Sequence, residues 1–107
     1  MSMDAVFRAL ADKSRRRLLD RLRARGGQTL NEMCEGLDMT RQAVTKHLVI
    51  LEQANLVVTE KRGREKLHYL NPVPIHTIAD RWIGKFERHR MAALTELKQK
   101  LEGDDNG

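Results

Sequence analysis

Thr40-Arg-Gln-Ala-Val-Thr-Lys-His-Leu48, continued by Val49-Ile-Leu51, reads as an amphipathic helix opened by a capping threonine. Val44, Leu48 and Leu51 recur at i, i+4 and i+7 and define its buried stripe. With residues placed about 100° apart around the axis, Arg41, Gln42, Thr45, Lys46, Val49, Glu52 and Gln53 form one continuous arc facing the other way. The first part of that arc suits the edges of DNA. Arg41 can pair with guanine, Gln42 with adenine, Thr45 with either base and Lys46 with phosphate. The positive helix N-terminus points toward phosphate as well, while Glu52 in the last turn is repelled and is expected to lie clear of a duplex. A merely solvated face would show the same arc, so the neighbouring segments decide.

Upstream, Met3, Val6, Phe7 and Leu10 predict a first helix from Met3 to Ala11, interrupted by Asp12-Lys13. Ser14 is the expected N-cap of a second helix, whose stripe of Leu18, Leu19 and Leu22 ends at Gly26-Gly27. Thr29-Leu30-Asn31-Glu32 has the form of a capping box and predicts a short third helix through Met33, Cys34 and Leu37. Asp38-Met39 then makes a tight turn, with Asp38 tolerating a slightly strained conformation. Asn55, which accepts the left-handed conformation, should close the fourth helix.

Downstream, Val57-Val58-Thr59, a turn at Arg62-Gly63-Arg64 and Lys66-Leu67-His68-Tyr69-Leu70 predict a hairpin. Lys61, Arg62, Arg64 and Lys66 make its tip a basic finger suited to phosphates or a minor groove. After Asn71-Pro72-Val73-Pro74, the apolar residues Ile75, Ile78, Ala79, Trp82, Ile83, Phe86, Leu94, Leu97 and Leu101 trace one long helix of about 40 Å. Residues 103–107 have nothing to bury and are expected to form a disordered tail behind a domain spanning 1–102. The fold class is therefore mainly α with a small β-hairpin, in the order α-α-α-α-β-β-α of a winged helix-turn-helix.

Composition agrees. At 107 residues the chain suits one domain, and 40% hydrophobic with 4% aromatic residues suits packed helices. The net charge of +5 favours a polyanionic partner such as double-stranded DNA. Its distribution is uneven: +5 over residues 1–25, −3 over 26–39, +3 over 40–70 and zero over 71–107. Cys34 is the only cysteine, so an internal disulfide is excluded, and a reducing cytoplasm is the expected location. Leu48-Val-Ile-Leu51 is too short an apolar run to span a membrane, and Asp4 and Arg8 break any signal peptide.

Leu10-Ala-Asp-Lys-Ser-Arg-Arg-Arg-Leu-Leu19 and Thr40-Arg-Gln-Ala-Val-Thr-Lys-His-Leu48 resemble the arsenic-repressor (ArsR) family. Gly63-Arg-Glu-Lys66 looks like that family's wing tip, and Leu70-Asn-Pro72 like its exit into the last helix. The resemblance covers residues 4 to 101. It implies a homodimer paired through the first and last helices, with the Thr40 helix in the major groove and the hairpin as wing. Val6, Phe7, Trp82, Ile83, Phe86, Leu94 and Leu97 are the expected pairing residues. A final helix so long and apolar also needs cover that a small body cannot supply alone. Expected DNA contacts are Thr40, Arg41, Gln42, Thr45, Lys46, Arg62, Arg64 and Lys66, joined by Ser14 and Arg15 at a helix start. His47 lies beside the apolar arc, where it can touch a phosphate or bond within the domain.

The metal-sensing members differ at their sites. Where arsenic sensors carry Cys-x-Cys, this chain has Met33-Cys34-Glu35, and in place of an Asp-x-His pair it has Asp80-Arg81-Trp82. His76, Asp80 and His89 are scattered, so no metal and no cofactor are expected. Cys34 reads as a buried, inert thiol. No catalytic arrangement appears either. The reading is a dimeric, metal-independent repressor of a palindromic operator. Its rivals are a ligand- or redox-responsive sensor of the same fold and a winged interaction module without DNA binding.

Overall fold

The computed structural model describes residues 2–83 and 88–104. Its order is α1 (Met3–Leu10), α2 (Lys13–Ala24), α3 (Leu30–Cys34), α4 (Arg41–Gln53), β1 (Val57–Arg62), β2 (Glu65–Leu70), α5 (Val73–Ile83) and α6 (Arg88–Asp104). This is the expected winged helix-turn-helix order. The single last helix is described as α5 and α6 on either side of residues 84–87, so Phe86 lies outside the described residues. Gly103 and Asp104 are helical where a tail was expected to begin, and 105–107 are not described.

Local chemistry explains each boundary. The helix α2 is capped by Asp12, whose carboxylate accepts the Arg15 N–H at 3.1 Å, and Ser14 sits inside the helix. The expected Ser14 cap is thus corrected: the earlier carboxylate meets the orphan amides first, and Lys13 takes helical geometry. At α3 the capping box forms as read, Thr29 Oγ1 accepting the Glu32 N–H at 3.2 Å and Glu32 Oε1 accepting the Thr29 N–H at 3.1 Å. Gly36, with φ 69°, takes the left-handed position between α3 and α4. Asp38 carries no positive φ, so the strain expected there is absent.

Asn55, with φ 60°, closes α4 as predicted. The amide of Leu56 reaches the Leu51 carbonyl at 2.9 Å and that of Asn55 reaches Glu52 at 3.0 Å, the paired bonds of a Schellman ending. Leu56 and Leu51, both fully buried, close the apolar side of that ending. The hairpin pairs Val57 with Leu70 and Arg62 with Glu65, leaving a two-residue loop of Gly63 and Arg64. Gly63 takes φ 63°, the geometry such tight loops reserve for glycine.

The chain divides into two compact units, Met1–His76 and Thr77–Gly107, where the sequence predicts one core. In the first, Val6, Leu18, Met33, Val44, Leu51 and Leu56 are fully buried, so the stripes of α1, α2 and α4 meet as their spacing requires. In the second, Leu94, Leu97 and Leu101 are all more than half exposed. Among the described residues of this unit no side chain is buried.

Candidate nucleic-acid interface

The helix α4 presents the arc read from the sequence. Val44, Leu48 and Leu51 are buried, while Arg41, Gln42, Thr45, Lys46 and Val49 are turned outward. Arg41, Gln42, Thr45 and Lys46 alone line one shallow depression, so the four side chains share a surface. Thr40 Oγ1 accepts the Ala43 N–H at 3.1 Å, which fixes the helix start and occupies this hydroxyl as a cap. Thr45 donates its hydroxyl to the Arg41 carbonyl at 2.9 Å and keeps its lone pairs outward. Gln42 and Lys46 have no side-chain partner among the described residues. Arg41 donates to Asn31 Oδ1 of α3, an orienting bond with no sequence signature, because the two residues lie on different helices.

Between α4 and the wing is a cleft of about 360 Å³, with Arg41, Thr45 and Glu52 on one wall and Arg64 and Lys66 on the other. Arg64, at the tip, has no side-chain partner among the described residues. Arg62 is exposed and lies 3.5 Å from Glu60. Lys66 is placed differently from expectation: its Nζ is 3.0 Å from Glu52 Oε1. The same pair ties the wing to the end of α4.

The wing is anchored from beneath. His68 and Gln28 are both buried and pair through their backbones, the His68 N–H meeting the Gln28 carbonyl at 2.8 Å. His68 Nδ1 lies 2.8 Å from the same carbonyl. Because that oxygen only accepts, Nδ1 carries the proton. Gln28 in turn donates through Nε2 to the Arg21 and Arg25 carbonyls, closing the end of α2. A polar pair 40 residues apart gave no signal in the sequence.

Arg15 is not brought to this face as a free donor. Arg15 donates to the Ala9 carbonyl at 2.8 Å, to the Arg8 carbonyl at 3.0 Å and to His47 Nδ1 at 3.4 Å, with its side chain only 12% exposed. It locks α1, α2 and α4 together, and His47 serves that junction. Ser14 is half-buried in the first turn of α2. The Arg15 N–H and then the Arg15 charge hold the Asp12 carboxyl below its ordinary range. Arg25, 2.6 Å from Glu32, does the same for that carboxylate with help from Thr29.

Of the expected pairing residues, Val6 is buried within the first unit and cannot face a partner; the packing of α1 against α2 and α4 claims it. Phe7, Trp82, Ile83, Leu94 and Leu97 are exposed in the single chain. Cys34 is half-buried rather than enclosed. Among the described residues no three His, Cys, Asp or Glu side chains converge, and no helix is long and apolar enough to cross a membrane.

A helix that turns Arg41, Gln42, Thr45 and Lys46 outward beside a basic two-stranded wing is the architecture of a winged helix-turn-helix protein. Residues 10–60 match the helix-turn-helix domain family model. The chain is 38% identical over 86 residues to the uncharacterized HTH-type transcriptional regulator YuzN of Bacillus subtilis, covering 75% of this chain and 94% of that one. It is 32% identical over 69 residues to the transcriptional repressor SdpR of the same organism, covering 64% of this chain and 76% of that protein. Among solved structures, an ArsR-like transcriptional regulator from Rhodococcus sp. RHA1 superposes with a TM-score of 0.71 at 29% identity, covering 92% and 91% of the two chains. The chain belongs to the ArsR family of winged helix-turn-helix transcriptional regulators.

Proposed function

We propose that the protein is a homodimeric, metal-independent repressor that recognises a palindromic operator in the cytoplasm of its cell. The observation that carries this reading is the outward face of Arg41, Gln42, Thr45 and Lys46, set across a cleft from Arg64 of the wing, which has no side-chain partner among the described residues. Gln42 and Thr45 read base edges, while Lys46, Arg62 and Arg64 grip phosphate. The likeness to SdpR, a named repressor, supports repression as the outcome. Pairing rests on the exposed apolar residues Trp82, Ile83, Leu94 and Leu97, which a symmetric partner would cover. Metal independence rests on the lone Cys34 and the Asp80-Arg81-Trp82 sequence, which offer no convergent ligand set.

The test is fluorescence anisotropy on operators selected from a random pool, combined with sedimentation. A dimer should bind two half-sites about 34 Å apart, one helical turn, and lose specific binding when half a turn is inserted between them. Zinc and chelators should leave the affinity unchanged. Indifference to the insertion, or a stable monomer in the complex, would sink the symmetric reading.

A further inference from the structure

We propose that Glu52 is an intramolecular competitor of DNA phosphate: by holding Lys66 it keeps this lysine off the DNA and limits affinity for duplex of any sequence. The inference rests on the DNA-binding reading above. Lys66 and Glu52 meet at 3.0 Å on facing walls of the cleft that also holds Arg41 and Arg64. Glu52 is the more enclosed partner, 25% exposed against 56% for Lys66. It stands in the last turn of α4, where the negative end of the helix disfavours a carboxylate. A cation beside it relieves that cost, so the pair forms in the free protein.

A phosphate strand entering this cleft meets Arg64 as an available donor and Arg41 shared with Asn31, but it meets Lys66 already neutralised by Glu52, with Glu65 as a second carboxylate in the lining. Lys66 is exposed enough, on a flexible stem, to turn toward phosphate once the carboxylate is neutral. Phosphate contacts carry no sequence information, so one fewer of them weakens binding to bulk DNA as well as to an operator. The pairing makes Glu52 a positioning residue for binding: it acts through Lys66 rather than by touching DNA.

A charge-deletion cycle on a random duplex across a salt series tests this, using the full chain. Glu52→Gln, which preserves shape, should steepen the dependence of log K on log salt by about 0.9 per bound protomer and tighten binding about eightfold per protomer at 0.1 M salt. Lys66→Gln alone should stay within about twofold of the parent with an unchanged slope, and the double variant should match Lys66→Gln. Glu52→Met, with its unfolding followed by circular dichroism, repeats the charge deletion with a different packing residue. If Lys66→Gln alone flattens the slope, the lysine already grips phosphate and the proposal is overturned. It is equally overturned if the Glu52 effect persists in the double variant, since Glu52 then acts by its own repulsion. A parent protein with no salt-dependent duplex binding would instead remove the DNA-binding reading itself.

Discussion

The helix α2 with its flanks, and the α4–wing pair, are the two basic regions of the chain, with eight cations in residues 1–25 and six in residues 40–70. Sequence treats them alike. In the folded chain three guanidinium groups of the first region are committed to backbone carbonyls, although most of its cations stay exposed. Arg15 and Arg16 donate to the carbonyls of Arg8, Ala9 and Leu10, the last turn of α1, and Arg21 donates to the carbonyls of Glu32 and Glu35 at the end of α3. Cations at helix C-termini satisfy orphan carbonyls and oppose the negative end of the dipole. The second region leaves Gln42, Lys46 and Arg64 without internal partners among the described residues. Similar composition thus yields a structural clamp in one place and a binding face in the other, according to which carbonyls lie within reach.

That contrast is sharpest in the response to truncation. Arg15→Ala strips donors from two carbonyls, one of them part-buried, and from His47. A loss of about 3 kcal/mol in stability is expected, seen as a fall of roughly 10–20 °C in Tm. The salt slope of DNA binding by the folded fraction should not change. A flattened slope with an unaltered Tm would place Arg15 on DNA and break the comparison.

On the other side, Gln42→Ala should cost about 1–3 kcal/mol on the selected operator and little on random duplex, with Tm held within about 2 °C because the side chain is exposed and has no partner among the described residues. Equal weakening on both duplexes would show that Gln42 reads no base. Arg64→Ala should be milder and less selective. It lowers the salt slope by about 0.9 for each phosphate that the wing no longer neutralises, and it weakens operator and random DNA together. An unchanged slope in the same anisotropy series would take Arg64 off the phosphates.

Much of this architecture was legible because it follows from short-range chemistry. The capping box at Thr29, the left-handed Asn55, the hairpin loop at Gly63 and the apolar stripe of α4 each follow from residues close to one another in the chain. What the sequence concealed is long-range pairing. Nothing near Arg15 signals the Ala9 carbonyl as its target rather than a phosphate, because the choice depends on how α1 ends against α2. Nothing near Lys66 signals Glu52, since the pair forms only when β2 folds back beside α4. The expected Ser14 cap failed for a local reason: two nearby capping candidates competed, and the carboxylate of Asp12 was the stronger acceptor.

The smallest expected effect concerns Asp12 and separates the clamp from the binding face by pH. The Arg15 N–H, and then its charge, hold the Asp12 carboxyl below its ordinary value in the folded chain. A depressed folded pKa means that the unfolded chain binds the proton more readily as pH falls. The stabilisation is therefore complete above the ordinary carboxylate range near pH 4 and is lost as the solution is acidified through the lower folded value. Glu32 in the first turn of α3, held down by Arg25 and Thr29, adds to the same acid limb. Asn caps helices about as well as Asp, so Asp12→Asn should cost only a few tenths of a kcal/mol at pH 7. Its loss of stability between about pH 5 and pH 2 should be shallower than the parent's, because one of the two carboxylates no longer titrates. Gln42→Ala, which leaves both carboxylates in place, should reproduce the parent's acid limb. Urea midpoints across that range for the three proteins are the measurement. An Asp12→Asn limb as steep as the parent's would mean that the Asp12–Arg15 pair contributes nothing through its charge, leaving Arg15 to hold α1 by its carbonyl bonds alone.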